Sequence, residues 1–132
     1  MQRYFDNIED ATENNNNFRK VLFTGKYCQL VVMSLKPGEE IGQEVHDSVD
    51  QFFRFEQGEA KILIDGEEIM VKADDAVIVP AGSIHNIINS STTESLKLYT
   101  IYSPPEHKDG TIHQTKKEAE ENEEHFDGKT TE

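Results

Sequence analysis

With 132 residues and a formal charge of −13, the chain has room for one hydrophobic core, and its field repels nucleic-acid backbones and anionic membranes alike. A single cysteine, Cys28, excludes an intrachain disulfide. Without an apolar leader or a run long enough to span a bilayer, the expected setting is the cytoplasm, with no nucleic-acid or membrane partner.

Residues 1–17 are polar and end in four asparagines, Asn14 to Asn17, whose side chains compete for backbone hydrogen bonds; they read as an irregular N-terminal lead-in. From Phe18 the pattern changes to strands, RKVLFTG and then KYCQLVVMSLKPG, the second ended by Pro37-Gly38. FFRF follows Gln51, and AKILID and EEIMV flank Asp65-Gly66, a strong hairpin signal. Short strands are expected at 76–79, 84–88 and 96–102, with a Ser/Thr-rich loop before the last. Many short strands with close turns and no long helical period predict an all-β sandwich or barrel over 18–105. Beyond Pro104-Pro105 lies an acidic tail, 106–132, in which Thr115-Lys116-Lys117-Glu118 fits a helix-starting capping box and 116–125 reads as a short helix.

Two stretches carry the chemistry. Glu44 and His46 are two apart, so on an extended strand they share a face, and Gln51 opens the next strand. His85 comes from PAGSIHNIIN, where Pro80 and Gly82 set a turn before a strand. Three potential metal ligands can converge, and His85 is the fourth.

These residues resemble the cupin superfamily, small jelly-roll barrels also described as a double-stranded β-helix. The family's first motif is Gly, five residues, His-x-His, three or four residues, Glu, six residues, Gly. Gly38, Glu44, His46, Gln51 and Gly58 occupy those places with the spacing intact. In the second motif Pro80, Gly82, His85 and Asn89 match, with Asp74 where the leading Gly would stand. The resemblance implies a single-domain cupin barrel with a short helical or irregular C-terminal tail. It also implies a divalent metal ion, zinc, iron, manganese or nickel, at Glu44, His46, Gln51 and His85. Relative to the family's three histidines and one glutamate, Glu44 replaces a His and Gln51 replaces the Glu. One carboxylate, two imidazoles and an amide oxygen still form a workable set, and without Gln51 they form a two-His-one-carboxylate triad with open positions. Gln51 reads either as a ligand or as a hydrogen-bonding neighbour that orients the others. The set is also locally similar to type I phosphomannose isomerase, with glutamate and glutamine exchanged.

Parity places Phe53 and Phe55 on the face of Gln51, and Gln29, Val31 and Met33 on one face of their strand, so Gln29, Met33 and Phe53 are expected to line the pocket. Tyr99 and Tyr102 have opposite parity, so at most one looks inward. His107, His113 and His125 read as exposed tail residues without a role, and Cys28 as a small core residue. A homodimer is expected, to cover the apolar outward residues of FFRF. The resemblance and the ligand set together predict a metalloenzyme, isomerase- or dioxygenase-like, acting on a small polar molecule such as a sugar or keto/hydroxy acid. A non-catalytic small-molecule-binding or sensor cupin without metal is the alternative.

Overall fold

The computed structural model describes all 132 residues. Nine strands and two short helices form: α1 (Ile8–Glu13), β1 (Arg19–Thr24), β2 (Gln29–Leu35), β3 (Asp50–Gln57), β4 (Glu59–Ile64), β5 (Glu67–Lys72), β6 (Ala76–Val79), β7 (His85–Asn89), β8 (Leu96–Ser103), β9 (Ile112–His113) and α2 (Lys116–Glu121). They pair as a six-stranded sheet, β6-β3-β8-β2-β1-β9, and a three-stranded one, β5-β4-β7. Every strand pairing is antiparallel, and only β1–β2 and β4–β5 join successive strands. The chain is therefore an all-β jelly roll with a short C-terminal helix. No helix is long and apolar enough to cross a membrane.

The period of two explains which side chains enter the barrel. Gln51, Phe53 and Phe55 of β3 are buried, while Phe52 and Arg54 between them are only partly so. Val31, Met33, Leu35, Phe53, Phe55, Ile62, Ile87, Leu96 and Leu98 form the centre of one core. Asp65 and Gly66 both adopt positive φ, 48° and 86°, the geometry that a two-residue hairpin between right-twisted strands needs.

Both ends of the chain are more ordered than their composition suggests. Within the lead-in read as irregular, Asn7 caps α1 by accepting the Asp10 N–H at 3.0 Å, and α1 lies against β8, β3 and β2. The asparagines are fastened as well. Buried Lys97 donates its ammonium protons to the Asn15 carbonyl and to Asn16 Oδ1, and the Ser34 N–H reaches the Asn17 carbonyl at 3.1 Å. A buried ammonium needs oxygens, and this run supplies them. Some of the cover expected from a second copy over the outer sheet face thus comes from α1. Phe52 itself packs on Tyr99, ring centroids 6.2 Å apart.

The tail also departs from its reading. β9 lies beyond residue 105 yet pairs with β1, extending the sheet past the 18–105 span. The Gln29 amide fastens the start of this tail: Nε2 donates to the His107 carbonyl at 2.7 Å, and Oε1 accepts the N–H groups of Glu106 and His107 at 3.2 and 2.9 Å. α2 starts as expected, with Thr115 accepting the Glu118 N–H, but stops at Glu121 rather than 125, where Asn122 leaves helical geometry. Cys28, expected in the core, is exposed in the turn before β2.

Candidate metal centre

The segment leading into β3 runs antiparallel to β7 as an extra, irregular strand. Asn89 N–H bonds the Glu39 carbonyl and Ile41 N–H the Ile87 carbonyl, both at 2.9 Å. Glu44 and His85 then exchange backbone hydrogen bonds at 2.8 and 2.9 Å, and the Gly82 N–H binds the His46 carbonyl at 2.8 Å. The two sequence stretches are thereby one structural unit. Gly82 reaches this bond with φ of 87°, and Asp74, standing where a glycine would serve, also holds a positive φ of 76°.

This backbone lattice brings one ligand-type atom each of Glu44, His46 and His85 within 4.8 Å of one another. The His46 and His85 rings are 5.5 Å apart, and Phe53 presents edge to face against His85 at 6.2 Å. His85 Nδ1 lies 3.0 Å from the Ser83 carbonyl, which can only accept. Nδ1 therefore carries the proton, and Nε2 is a lone pair, buried with no partner. His46 bridges two carboxylates, Nε2 to Glu44 Oε2 at 3.1 Å and Nδ1 to Glu106 Oε1 at 3.4 Å. The Glu106 hydrogen bond, then that of Glu44, raise the His46 pKa to about 9 against the opposing effect of burial. Burial pushes Glu106 upward, but its contacts with His46 and His125 prevail and hold it below the usual carboxylate range.

Gln51 stands opposite Tyr102 in the β3–β8 register. Its Nε2 donates to Thr100 Oγ1 at 3.0 Å, which in turn donates to the Phe52 carbonyl, and its Oε1 is buried without a partner. Buried polar atoms are nearly always hydrogen-bonded, so the bare His85 Nε2 within the trio marks a place where something electron-poor belongs. The donor set of one carboxylate and two imidazoles suits a divalent transition-metal ion. A residue arrangement of this kind could hold such an ion.

Of the two tyrosines, Tyr102 is the inward one. Its ring meets His46 edge-on at 5.9 Å, and its hydroxyl lies 3.1 Å from His107 Nε2. Burial raises the phenol's pKa and drives that of His107 down to about 2, so both are neutral. The tail histidines thus need correction. His113 is buried, donating from Nε2 to the Asn122 carbonyl at 3.1 Å, His107 is half-buried on the cavity wall with its ring against Tyr102, and only His125 is exposed. Their sequence surroundings are polar, and only the fold of the tail over the barrel mouth covers His107 and His113.

A cavity of about 340 Å³ opens beside the trio, reaching Glu44, His46, Glu106 and His107, and roofed by α2 and the residues after it. None of Gln29, Met33 and Phe53, the expected lining, borders it. Their parity was right, for all three face inward and are buried. However, Gln29 is consumed by the tail, while Met33 and Phe53 lie deeper in the core. Glu106 and Ser83, which orient the two imidazoles, and Arg19 on the cavity wall were missed. Glu106 follows a proline pair that looked like the barrel's end, and the Ser83 contribution is a backbone carbonyl without any side-chain signal.

Residues 31–102 match the sequence profile of the cupin domain. The chain is 48% identical over 119 residues to the uncharacterised YrkC protein of Bacillus subtilis, a match covering 86% of this chain and 63% of that protein. It thus spans less than two thirds of that relative's length. It is 44% identical over 115 residues to protein L612 of Acanthamoeba polyphaga mimivirus, covering 84% and 71% respectively. A crystal structure of a Bacillus halodurans protein superposes with a TM-score of 0.89 at 39% identity, covering 92% of this chain and 96% of that one.

Proposed function

From the premise that the chain belongs to the cupin family, we propose that it holds a divalent metal ion at Glu44, His46 and His85, with Gln51 Oε1 as a fourth contact, and acts as a metalloenzyme on a small polar molecule. The single observation that carries the reading is His85 Nε2, a buried lone pair without a partner in a cluster whose ligand atoms lie within 4.8 Å. Glu44 supplies the negative charge. Glu106 takes the Nδ1 proton of His46 and the Ser83 carbonyl takes that of His85, so each ring would turn its Nε2 toward the ion. A proton on His46 Nε2 and a metal ion would compete for one lone pair, so His46 would have to give up that proton to serve as a ligand. When bound, the ion would act as a Lewis acid toward a carbonyl or hydroxyl of the ligand, the chemistry an isomerase-type reading needs. Phe53 and the core beneath close the inner side to water, and the cavity on the other side admits the substrate. Tyr102 meets His46 edge-on with its hydroxyl on His107 Nε2; buried and outside the cavity lining, it supports the His46 ring and does not meet the substrate.

Elemental analysis of the purified protein tests the site. Close to one divalent ion per chain is expected in the parent and much less in Glu44→Ala and His46→Ala; equal metal in all three refutes it. A passive, metal-free binding module is separated by a turnover screen. Product formation that is lost on chelation and restored by one particular ion supports the enzyme, whereas ligand-dependent stabilisation of metal-free protein without turnover supports the binder.

A further inference from the structure

Arg19 has no counter-ion. It opens β1 on the barrel's inner face, its residue surface only 7% exposed, and it lines the cavity beside Glu44 and His46. Its Nε is buried without a partner, and none of the chain's ion pairs includes it. The Phe18 ring lies 5.4 Å from the guanidinium carbon, a weak compensation for a desolvated charge.

The acidic cavity makes this more telling. Five carboxylates line it, and each already has a basic side chain within 4.0 Å. Glu44 and Glu106 have His46, Glu120 has Lys116, Glu123 has His125, and Glu124 has Lys108. Arg19 is the cation left over. Its neighbour across the β1–β9 pairing is His113, whose Nε2 proton goes to the Asn122 carbonyl, leaving Nδ1 as a second buried atom without a partner. A planar donor fork and an acceptor nitrogen therefore border the same space.

We propose that Arg19 is the anchor for the carboxylate of a small organic acid, which it holds in the cavity with the rest of the molecule toward Glu44 and His46. The guanidinium fork matches a carboxylate bidentately, and an anion entering this space neutralises a charge that the protein otherwise buries alone. A hydroxyl on the acid would satisfy His113 Nδ1 by donating to it. In a chain of net charge −13, a local cation of this kind is also what allows an anion to enter at all.

The inference rests on the metal-site reading for what the far end of the acid meets, and the test keeps the two apart. Lactate, pyruvate, oxalate and succinate are titrated calorimetrically into the full chain, metal-loaded and chelator-stripped, against the corresponding amides. At least one acid is expected to bind in the millimolar range or tighter, with its amide weaker by about tenfold or more. Arg19→Gln should lose about tenfold or more of that affinity with metal content unchanged and a melting temperature equal to or above the parent's, because an unpaired buried charge is removed. Arg19→Lys should retain part of the affinity. The proposal is overturned if no acid binds, if amides bind as well as acids, or if Arg19→Gln binds as the parent does. It is equally overturned if Arg19→Gln melts lower and Arg19→Lys restores it, since that is a structural arginine. Arg19-dependent binding in a parent that takes up no metal sinks the metal reading alone; full metal content without any preference for acids sinks this one alone.

Discussion

Glu106→Gln isolates how much the metal site depends on a residue that contacts only one proposed ligand from behind. Glu106 Oε1 is 3.4 Å from His46 Nδ1, and it comes from the tail, not from either of the two stretches that supply the ligands. Glutamine keeps the volume and an accepting oxygen, so the ring can still be oriented, but the charge that makes the imidazole a stronger donor is gone. Loss of such a carboxylate behind a ligating histidine typically weakens metal affinity by about 10- to 100-fold, or about 1.4–2.7 kcal/mol. The assay is competition against a chelating dye for zinc or manganese at fixed pH, with His46→Ala as the reference for full loss. A decrease in that window with one bound ion per chain at saturation supports the arrangement. If Glu106→Gln binds metal as tightly as the parent while His46→Ala does not, Glu106 does not tune His46 and the reasoning fails.

His107 should make the metal-free protein acid-sensitive. The unfolded chain takes up this proton near pH 6.5, whereas burial holds the folded residue unprotonated down to about pH 2, so stability falls as pH drops below 6.5. At pH 5 the cost is about 2 kcal/mol, and urea midpoints at pH 7 and 5 should show this loss in the parent and not in His107→Gln; parallel losses in both would refute it. Gly58→Ala should destabilise by about 1–3 kcal/mol, because the residue holds φ of 94° and a Cβ would lie 2.9 Å from the Ser95 carbonyl oxygen; an unchanged denaturation midpoint contradicts that. Asp74→Gly should instead raise stability by up to about 1 kcal/mol. It relieves a left-handed conformation of φ 76° that costs about 1–2 kcal/mol, and gives up an exposed ion pair to Arg54 worth less than that; a lower melting temperature would refute this.

The positions of the main strands along the chain, the hairpin at Asp65-Gly66 and the inward faces of β2 and β3 were legible because each depends on local rules, turn chemistry and a period of two, whereas the order in which the strands pair is set by long-range contacts. Glu44, His46 and His85 were legible for a related reason. Motif spacing encodes which backbone segments pair, and the exchange of hydrogen bonds between Glu44 and His85 is that pairing. The expected lining failed at Gln29 because parity says which face a residue takes but not what already occupies its amide, here the backbone of Glu106 and His107.

The sequence by itself determined an all-β barrel through its period of two and its turns, and the resemblance of its two motifs to those of cupins brought Glu44, His46 and His85 together. Only the tertiary structure decided what surrounds that cluster. The tail folds back through β9 and α2, covers His107 and His113, sets Glu106 behind His46 and leaves Arg19 without a counter-ion. Each of those facts depends on contacts between residues roughly 60 to 95 positions apart, whose partners no local pattern names, and burial and pairing exist only once the chain has closed on itself.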